Sequence, residues 1–149
     1  MQPELLAHHY TEAGCTAQAL AYWQQAGQQA KERSAHVEAL GHLTRGLELL
    51  QTLPNTTERR QLELAFQIER GLSLIVTKGQ AAPEVGEAYT RARELCQQIE
   101  APPQLFRVLW GLWHFHVVRA ELQTVQEVGK QMLSIAQHLH DLVYLLGGH

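Results

Sequence analysis

Apolar residues recur at intervals of three and four along almost the whole chain, and long runs that alternate apolar with polar residues are absent. Such intervals place side chains on one face of an α-helix, whereas alternation is typical of a strand. Ala, Leu, Gln and Glu, which favour helix, are frequent, and β-branched residues are sparse. The pattern therefore predicts an all-α fold.

Glycine, proline and short polar stretches divide the pattern into roughly eight helical segments. We expect them at residues 3–13, 16–33, 34–53, 56–77, 83–99, 103–118, 121–140 and from Asp141 onward. Asn55, with Glu58 three residues later, resembles a capping box before the fourth segment. We expect the segments to form helix pairs over residues 3–33, 35–53, 56–99 and 103–140. All of them belong to one domain, residues 1–149. Because the eighth segment has barely begun when the sequence stops, we expect a fragment of a longer chain.

One set of offsets recurs in four frames of the chain. The first frame consists of Leu6, Ala7, Tyr10, Ala19, Trp23 and Ala26, and the others start at Ala26, Leu72 and Leu112. A small residue on one helix then faces a bulky residue on its antiparallel neighbour, which allows the two helix axes to approach closely. Glycines inside the segments are likewise predicted to be close helix contacts: Gly41, Gly46, Gly71, Gly86, Gly111 and Gly129.

Segment six carries apolar residues on two sides. Leu105, Leu109 and Leu112 form one stripe, and Trp110, Trp113 and Val117 form another. A helix with two apolar stripes lies between two neighbours, and stacked helix pairs cover each other's apolar faces. The repeats therefore predict an α-α superhelix, a solenoid of about seven to eight antiparallel helices that forms an open right-handed spiral.

The offsets resemble the tetratricopeptide repeat, whose pattern runs W-x2-L-G-x2-Y, then A-x3-F, then P. Leu6-Ala7-x2-Tyr10 followed by Ala19-x3-Trp23 matches best. Pro3 stands where the family has its leading tryptophan, and the frames start at uneven distances. The units are thus tetratricopeptide-like but irregular.

Longer runs, among them LLAHHYTEAG and KGQAAPEVGEAYTRARELCQQ, resemble helical repeats of large bacterial multidomain regulators. In those proteins the repeats lie C-terminal to an ATPase module, often with an adenylate/guanylate cyclase domain at the N-terminus. The resemblance covers nearly the whole chain. It implies a regulatory repeat array attached to a nucleotide-driven switch, in a parent protein that is a nucleotide cyclase or an ATPase. The catalytic residues of those domains would lie outside this segment.

Charge and composition argue against nucleic acid and membranes as partners. The 149 residues carry a formal net charge of −3, with both signs mixed along the chain, so no basic face for nucleic acid is expected. The longest apolar stretch, 105–122, is interrupted by Arg107, Arg119 and Glu121, so we expect no membrane contact. The two cysteines do not form a disulfide framework, which favours a cytoplasmic protein.

Residues that carry chemistry are few. The paired histidines, such as His8-His9, point in different directions on a helix, and neither HExxH nor a glycine-rich phosphate loop occurs. No serine lies in a nucleophile elbow, and Cys96 is expected to be a small core residue. The sequence therefore predicts no catalytic residue, no cofactor and no metal ligand, and this segment is not expected to be an enzyme.

The remaining candidate site is a groove. In tetratricopeptide arrays the first helix of each pair lines a concave face, and segments four and six would contribute Gln67, Arg70, Leu74, Arg107, Trp110 and His114. Arginine and tryptophan are enriched at interface hot spots. The competing interpretation of Trp110 is burial between helices.

Two functions follow from this sequence. One is a non-catalytic module for protein–protein interaction, or for intramolecular regulation of an attached ATPase or cyclase. Its partners are proteins, peptides or neighbouring domains of the same chain. The alternative is a stand-alone scaffold that binds peptide partners without a nucleotide switch. Apolar faces at the ends of the array also predict self-association through segment one or seven.

Overall fold

The structure, a computed structural model, describes residues 2–100 and 103–146, which form seven α-helices and no strand. The helices are α1 (Pro3–Glu12), α2 (Thr16–Glu32), α3 (His36–Leu50), α4 (Thr57–Lys78), α5 (Pro83–Gln98), α6 (Leu105–Val118) and α7 (Leu122–Leu146). The predicted all-α class is thus confirmed. None of these helices combines the length and the apolar character that crossing a membrane requires.

The prediction of a separate eighth segment is wrong, because α7 continues through Asp141 to Leu146. Oδ1 of Asp141 accepts a hydrogen bond from Nε2 of Gln137, one turn earlier, at 3.0 Å. Side chains four residues apart meet on one helix face, so Asp141 stabilises the middle of a helix instead of capping a new one. Residues 147–149, where the sequence itself stops, lie outside the described residues.

Each helix packs mainly against the helix before it and the helix after it in the chain. The small and bulky frame positions at these contacts are buried in the first three frames: Ala19, Trp23, Ala39, Leu43, Val85 and Tyr89. In the fourth frame the matching residues, Val125 and Gly129, are only partly buried. The repeated small-against-large packing therefore holds from α1 to α5 and weakens at α7.

Tyr89 shows how closely the helices approach. Its ring lies between Gly71 on α4 and Gly111 on α6. A Cβ atom added at Gly71 would come within 2.8 Å of the ring, and one at Gly111 within 2.5 Å. Since real Cβ atoms do not pack at these distances, the two glycines are what allow one tyrosine to fill the space between three helices.

Helices that are next but one in the chain also meet, through polar side chains. Nζ of Lys31 on α2 lies 2.5 Å from a carboxylate oxygen of Glu69 on α4. Between the adjacent helices α4 and α5, the buried carboxylate of Glu63 accepts hydrogen bonds from Nε and Nη2 of Arg91 at 2.7 and 3.1 Å. These directional contacts add to the close apolar packing in fixing the rotation of each helix about its own axis.

Candidate functional site

A groove of about 220 Å³ lies where α4, α5 and α6 meet. Its lining is mostly apolar and aromatic and comes from all three helices and from the loop after α4: Leu72, Ile75, Gln80, Val85, Tyr89, Trp110, Gly111, His114 and Phe115. Clefts lined by apolar residues with a few polar groups are typical binding sites. The close approach of α4 and α6 over Tyr89 forms the floor of this groove.

Trp110 forms one wall and is not buried between helices, because 50% of it remains exposed. Its ring stacks on Trp113 at a centroid distance of 5.8 Å and lies 4.9 Å from the ring of His114. Trp113 in turn packs against the main core cluster. A large ring that is supported from behind and open in front offers contact area at a low cost in conformational entropy.

The six residues predicted for the groove do not all lie together. Trp110 and His114 line it, whereas Leu74 is only 4% exposed and belongs to the core. The side-chain oxygen of Gln67 is buried and has no hydrogen-bond partner among the described residues. Arg70 is partly buried, Arg107 is exposed, and neither is among the lining residues.

Charged side chains of both signs lie near the groove. In the described part of the chain, neither Arg70 nor Arg107 has a carboxylate within ion-pair distance. Burial raises the pKa of the Tyr89 hydroxyl, while the positive charge of Arg107 opposes this rise and the negative charge of Glu69 adds to it. Arg107 therefore acts on the groove's own tyrosine through its electric field.

Sequence reasoning missed the residues that α4 and α5 contribute. Leu72 and Ile75 line the groove in place of Gln67 and Leu74, so the face of α4 that turns toward α6 differs from the predicted one. Tyr89 belongs to the repeat frame that starts at Leu72, for which the sequence predicts helix packing and not a binding role. The sequence does contain a signal for this pair: Leu72 and Tyr89 belong to one repeat frame, and positions of one frame lie close together where two helices pack.

A cluster of polar residues, separate from the groove, lies where α1 meets α3. Nε2 of His42 is 4.0 Å from a carboxylate oxygen of Glu4 and 3.7 Å from one of Glu38. One ligand atom from each of the three residues lies within 4.8 Å of the other two, so these residues could hold a metal ion. His42, Glu4 and Glu38 line a pocket of about 360 Å³, together with Glu32 and other residues of α2 and with Arg33, which follows α2.

Trp23 holds the histidine in place. The indole ring stacks on the imidazole of His42 with a centroid distance of 5.6 Å and an interplanar angle of 30°. Nε1 of Trp23 donates a hydrogen bond to Oγ1 of Thr11 at 3.0 Å, and Trp23 is buried. Because the indole is fixed by both packing and a hydrogen bond, the imidazole has little freedom to turn away from the pocket.

Sequence reasoning missed this cluster because it compared histidines within single helices. Glu4 is on α1, whereas Glu38 and His42 are on α3. The signal that could have found it is a repeated Glu-x3-His spacing, which occurs as Glu4 with His8 and again as Glu38 with His42. Residues four apart share one helix face, so each pair presents both side chains in the same direction.

Comparisons of the chain with models of protein families, with curated proteins and with solved structures found no match, so they leave both resemblances of the sequence untested.

Proposed function

We propose that this chain is a non-catalytic, tetratricopeptide-like module that binds a protein, a peptide or a neighbouring domain of its own chain. In a parent protein with an attached ATPase or cyclase, binding would act by changing how neighbouring helix pairs stack. Each unit of such an array contacts only its neighbours, so small rotations add up along it. The observation that carries the proposal is the half-exposed Trp110 at the wall of an apolar groove.

The order of helix contacts supports an open superhelix. The main packing contacts join consecutive helices. Helices that are next but one meet at their edges, as α1 and α3 do through Glu4 and His42, and α2 and α4 do through Lys31 and Glu69. A closed bundle would instead bring the first and last helices together around a shared core.

The chemistry of the groove favours a particular class of partner. Trp110 and Tyr89 offer aromatic surface. Arg70 and Arg107 lie on two of the helices that form the groove, α4 and α6, and have no ion-pair partner among the described residues. An apolar or aromatic side chain fits the groove, and acidic residues beside it would meet the arginines. We therefore infer a peptide segment that combines an aromatic or aliphatic anchor with flanking carboxylates.

Selection of peptides from a random display library on the immobilised chain tests this proposal. Selected peptides should share an apolar anchor next to acidic residues. Trp110→Ala should weaken their binding about thirtyfold, the equivalent of about 2 kcal/mol at a hot spot. Tyr144→Ala is the matched control, because Tyr144 is an exposed aromatic residue on α7, away from the groove. Equal binding by wild type and a folded Trp110→Ala variant would refute the groove.

Regulation and scaffolding differ in their dependence on nucleotide. Capture of a selected peptide by the full-length parent protein should change when ATP is added if the array is coupled to an ATPase or cyclase. Capture that is the same with and without ATP would favour the stand-alone scaffold. An encoded phosphate loop upstream of this segment would support the first function independently.

A further inference from the structure

We propose that Glu4, Glu38 and His42 bind a divalent transition-metal cation, of which Zn²⁺ is the best fit, and that the cation ties α1 to α3. The role is structural and independent of the groove at α4 to α6. It rests on three observations: a convergent set of donor atoms, a mostly buried histidine that makes no hydrogen bond with the described residues, and a pocket that leaves room for the ion.

The separations of the donor atoms are close to those of a metal site. Zn²⁺ binds imidazole nitrogen and carboxylate oxygen at about 2.0–2.2 Å, which places tetrahedral ligands about 3.3–3.5 Å apart. Nε2 of His42 lies 3.7 Å from Glu38 and 4.0 Å from Glu4. Both glutamate side chains are more than 40% exposed, so they have the freedom to close this small gap. All three residues line the same pocket, whose volume of about 360 Å³ leaves room for a water molecule as a fourth ligand.

His42 is the second and independent sign of a ligand. The residue is only 7% exposed, and its Nε2 points at two carboxylates that are both too far away to accept a hydrogen bond. Trp23 packs against one face of the imidazole, at a centroid distance of 5.6 Å. A cation between the three donors would give Nε2 the partner that the described residues do not supply.

The charges and the outer contacts also suit a cation. Two carboxylates balance a charge of +2 when the imidazole is neutral. The second oxygen of Glu38 lies 3.2 Å from Nη2 of Arg33, and the second oxygen of Glu4 lies 3.9 Å from Nε2 of His8. Glu38 therefore has one oxygen that faces His42 and one that is bound by Arg33, the arrangement by which supporting residues orient metal ligands. The distance from Glu4 to His8 is too long for a hydrogen bond.

The mixed donor set predicts which metals bind. Imidazole nitrogen favours Zn²⁺ and its transition-metal neighbours, whereas Mg²⁺ and Ca²⁺ prefer a shell of oxygen atoms. We therefore expect Zn²⁺ and Co²⁺ to bind and to raise the midpoint of thermal unfolding, since a ligand that binds only the folded state stabilises it. Mg²⁺ at the same concentration should leave the midpoint unchanged.

Calorimetric titration of the full chain, prepared without a histidine tag, with Zn²⁺ tests the proposal. We expect one saturable site per chain, weakened at least about tenfold by Glu4→Gln and by Glu38→Gln. Glu32→Gln is the matched control, because Glu32 lines the same pocket without belonging to the cluster, and it should bind as the wild type does. Unchanged binding in both cluster variants would overturn the proposal.

Two further variants separate this site from other causes. Arg33→Gln removes the arginine that pairs with Glu38 and keeps all three ligands, so it should weaken binding less than Glu38→Gln does. A larger loss in Arg33→Gln than in Glu38→Gln would contradict the assigned ligands. His138→Gln/His140→Gln removes exposed histidines of α7 that could chelate Zn²⁺ adventitiously. If the tight site disappears with that double variant, the proposal is wrong. With Co²⁺, the absorption bands of a tetrahedral site should be present in wild type and lost in Glu38→Gln.

Discussion

Gly41 and Gly46 lie on the same helix, α3, and have opposite surroundings. A Cβ atom at Gly41 would meet nothing within 4 Å. One at Gly46 would lie 2.5 Å from the ring of Phe66 on α4, which is fully buried. Both were predicted to be close helix contacts, and the prediction is confirmed for Gly46 and wrong for Gly41.

The two positions allow a matched prediction at the scale of a residue. Gly46→Ala should lower the free energy of unfolding by about 1–3 kcal/mol, because the ring of Phe66 has to move in a packed core. Gly41→Ala should raise it by about 0.5–1 kcal/mol, because alanine favours helix and has free space there. Urea unfolding of both variants measures the two changes in the free energy of unfolding. Changes of the same sign would contradict the close contact of Gly46 with Phe66 or the free space at Gly41.

Single residues also show why the sequence predicts packing better than it predicts a site. Ala19 and Trp23 are buried as expected, because their burial follows from spacing along one helix. The exposure of Trp110 and the burial of Leu74 depend instead on how far α4 and α6 are rotated toward each other. Spacing along one helix contains no information about that rotation, so four of the six predicted groove residues do not line the groove.

At the scale of an element, the start of α4 also shows that the sequence predicts the helix better than its individual contacts. The break before α4 and its length are close to the prediction, but the capping residue is Thr56, not Asn55. Oγ1 of Thr56 accepts a hydrogen bond from the backbone N–H of Arg59 at 3.2 Å. Oδ1 of Asn55 accepts one from Nε of Arg60 instead. Adjacent residues with similar capping preference cannot be distinguished by sequence alone, because the choice depends on the backbone angles of each.

The cap predicts an effect on stability. Thr56→Ala removes the acceptor for an N–H of the first turn and should lower the free energy of unfolding by about 1 kcal/mol. Thr57→Ala is the control, because Thr57 is exposed and already lies inside the helix, and its change should be near zero. Thermal unfolding followed by circular dichroism compares them. Equal effects of the two substitutions would show that Thr56 does not cap α4.

The last helix is longer than the surface on which it packs. α7 has 25 residues and α6 has 14, so at about 1.5 Å per residue α7 is roughly 16 Å longer. Met132 and Ile135 contact the main core cluster, whereas Leu139 and Leu142 are exposed on the continuation of the same face. These two leucines border an apolar hollow of about 540 Å³ that also contains Phe106.

At the scale of the whole molecule, this uncovered face predicts self-association through α7. Leu139→Glu/Leu142→Glu should keep the chain monomeric at concentrations where wild type forms larger species, because two carboxylates would have to be buried in the contact. Light scattering after size-exclusion chromatography gives the molecular mass of the wild type and of the double variant. Leu5→Glu, at an exposed position of α1, is the control and should leave the association unchanged. A wild-type mass of one chain at high concentration would contradict the prediction.

The fold class and most helix bounds follow from the sequence because both depend on neighbours along the chain. The cluster of Glu4, Glu38 and His42 does not, because α2 lies between α1 and α3 in the chain and its packing brings their side chains together. The groove can be predicted from the sequence only in part. Its aromatic residues were recognisable by type, and its partner face on α4 was not.

The consecutive order of helix contacts has a consequence for synthesis on the ribosome. Since each helix packs mainly on the one made just before it, a docking surface is already present when each new helix leaves the exit tunnel. No early helix has to wait for a late one, so the nascent chain should acquire protease resistance step by step, from α1 toward α6. α7, with only Val128 fully buried among its residues, should be the last to gain it.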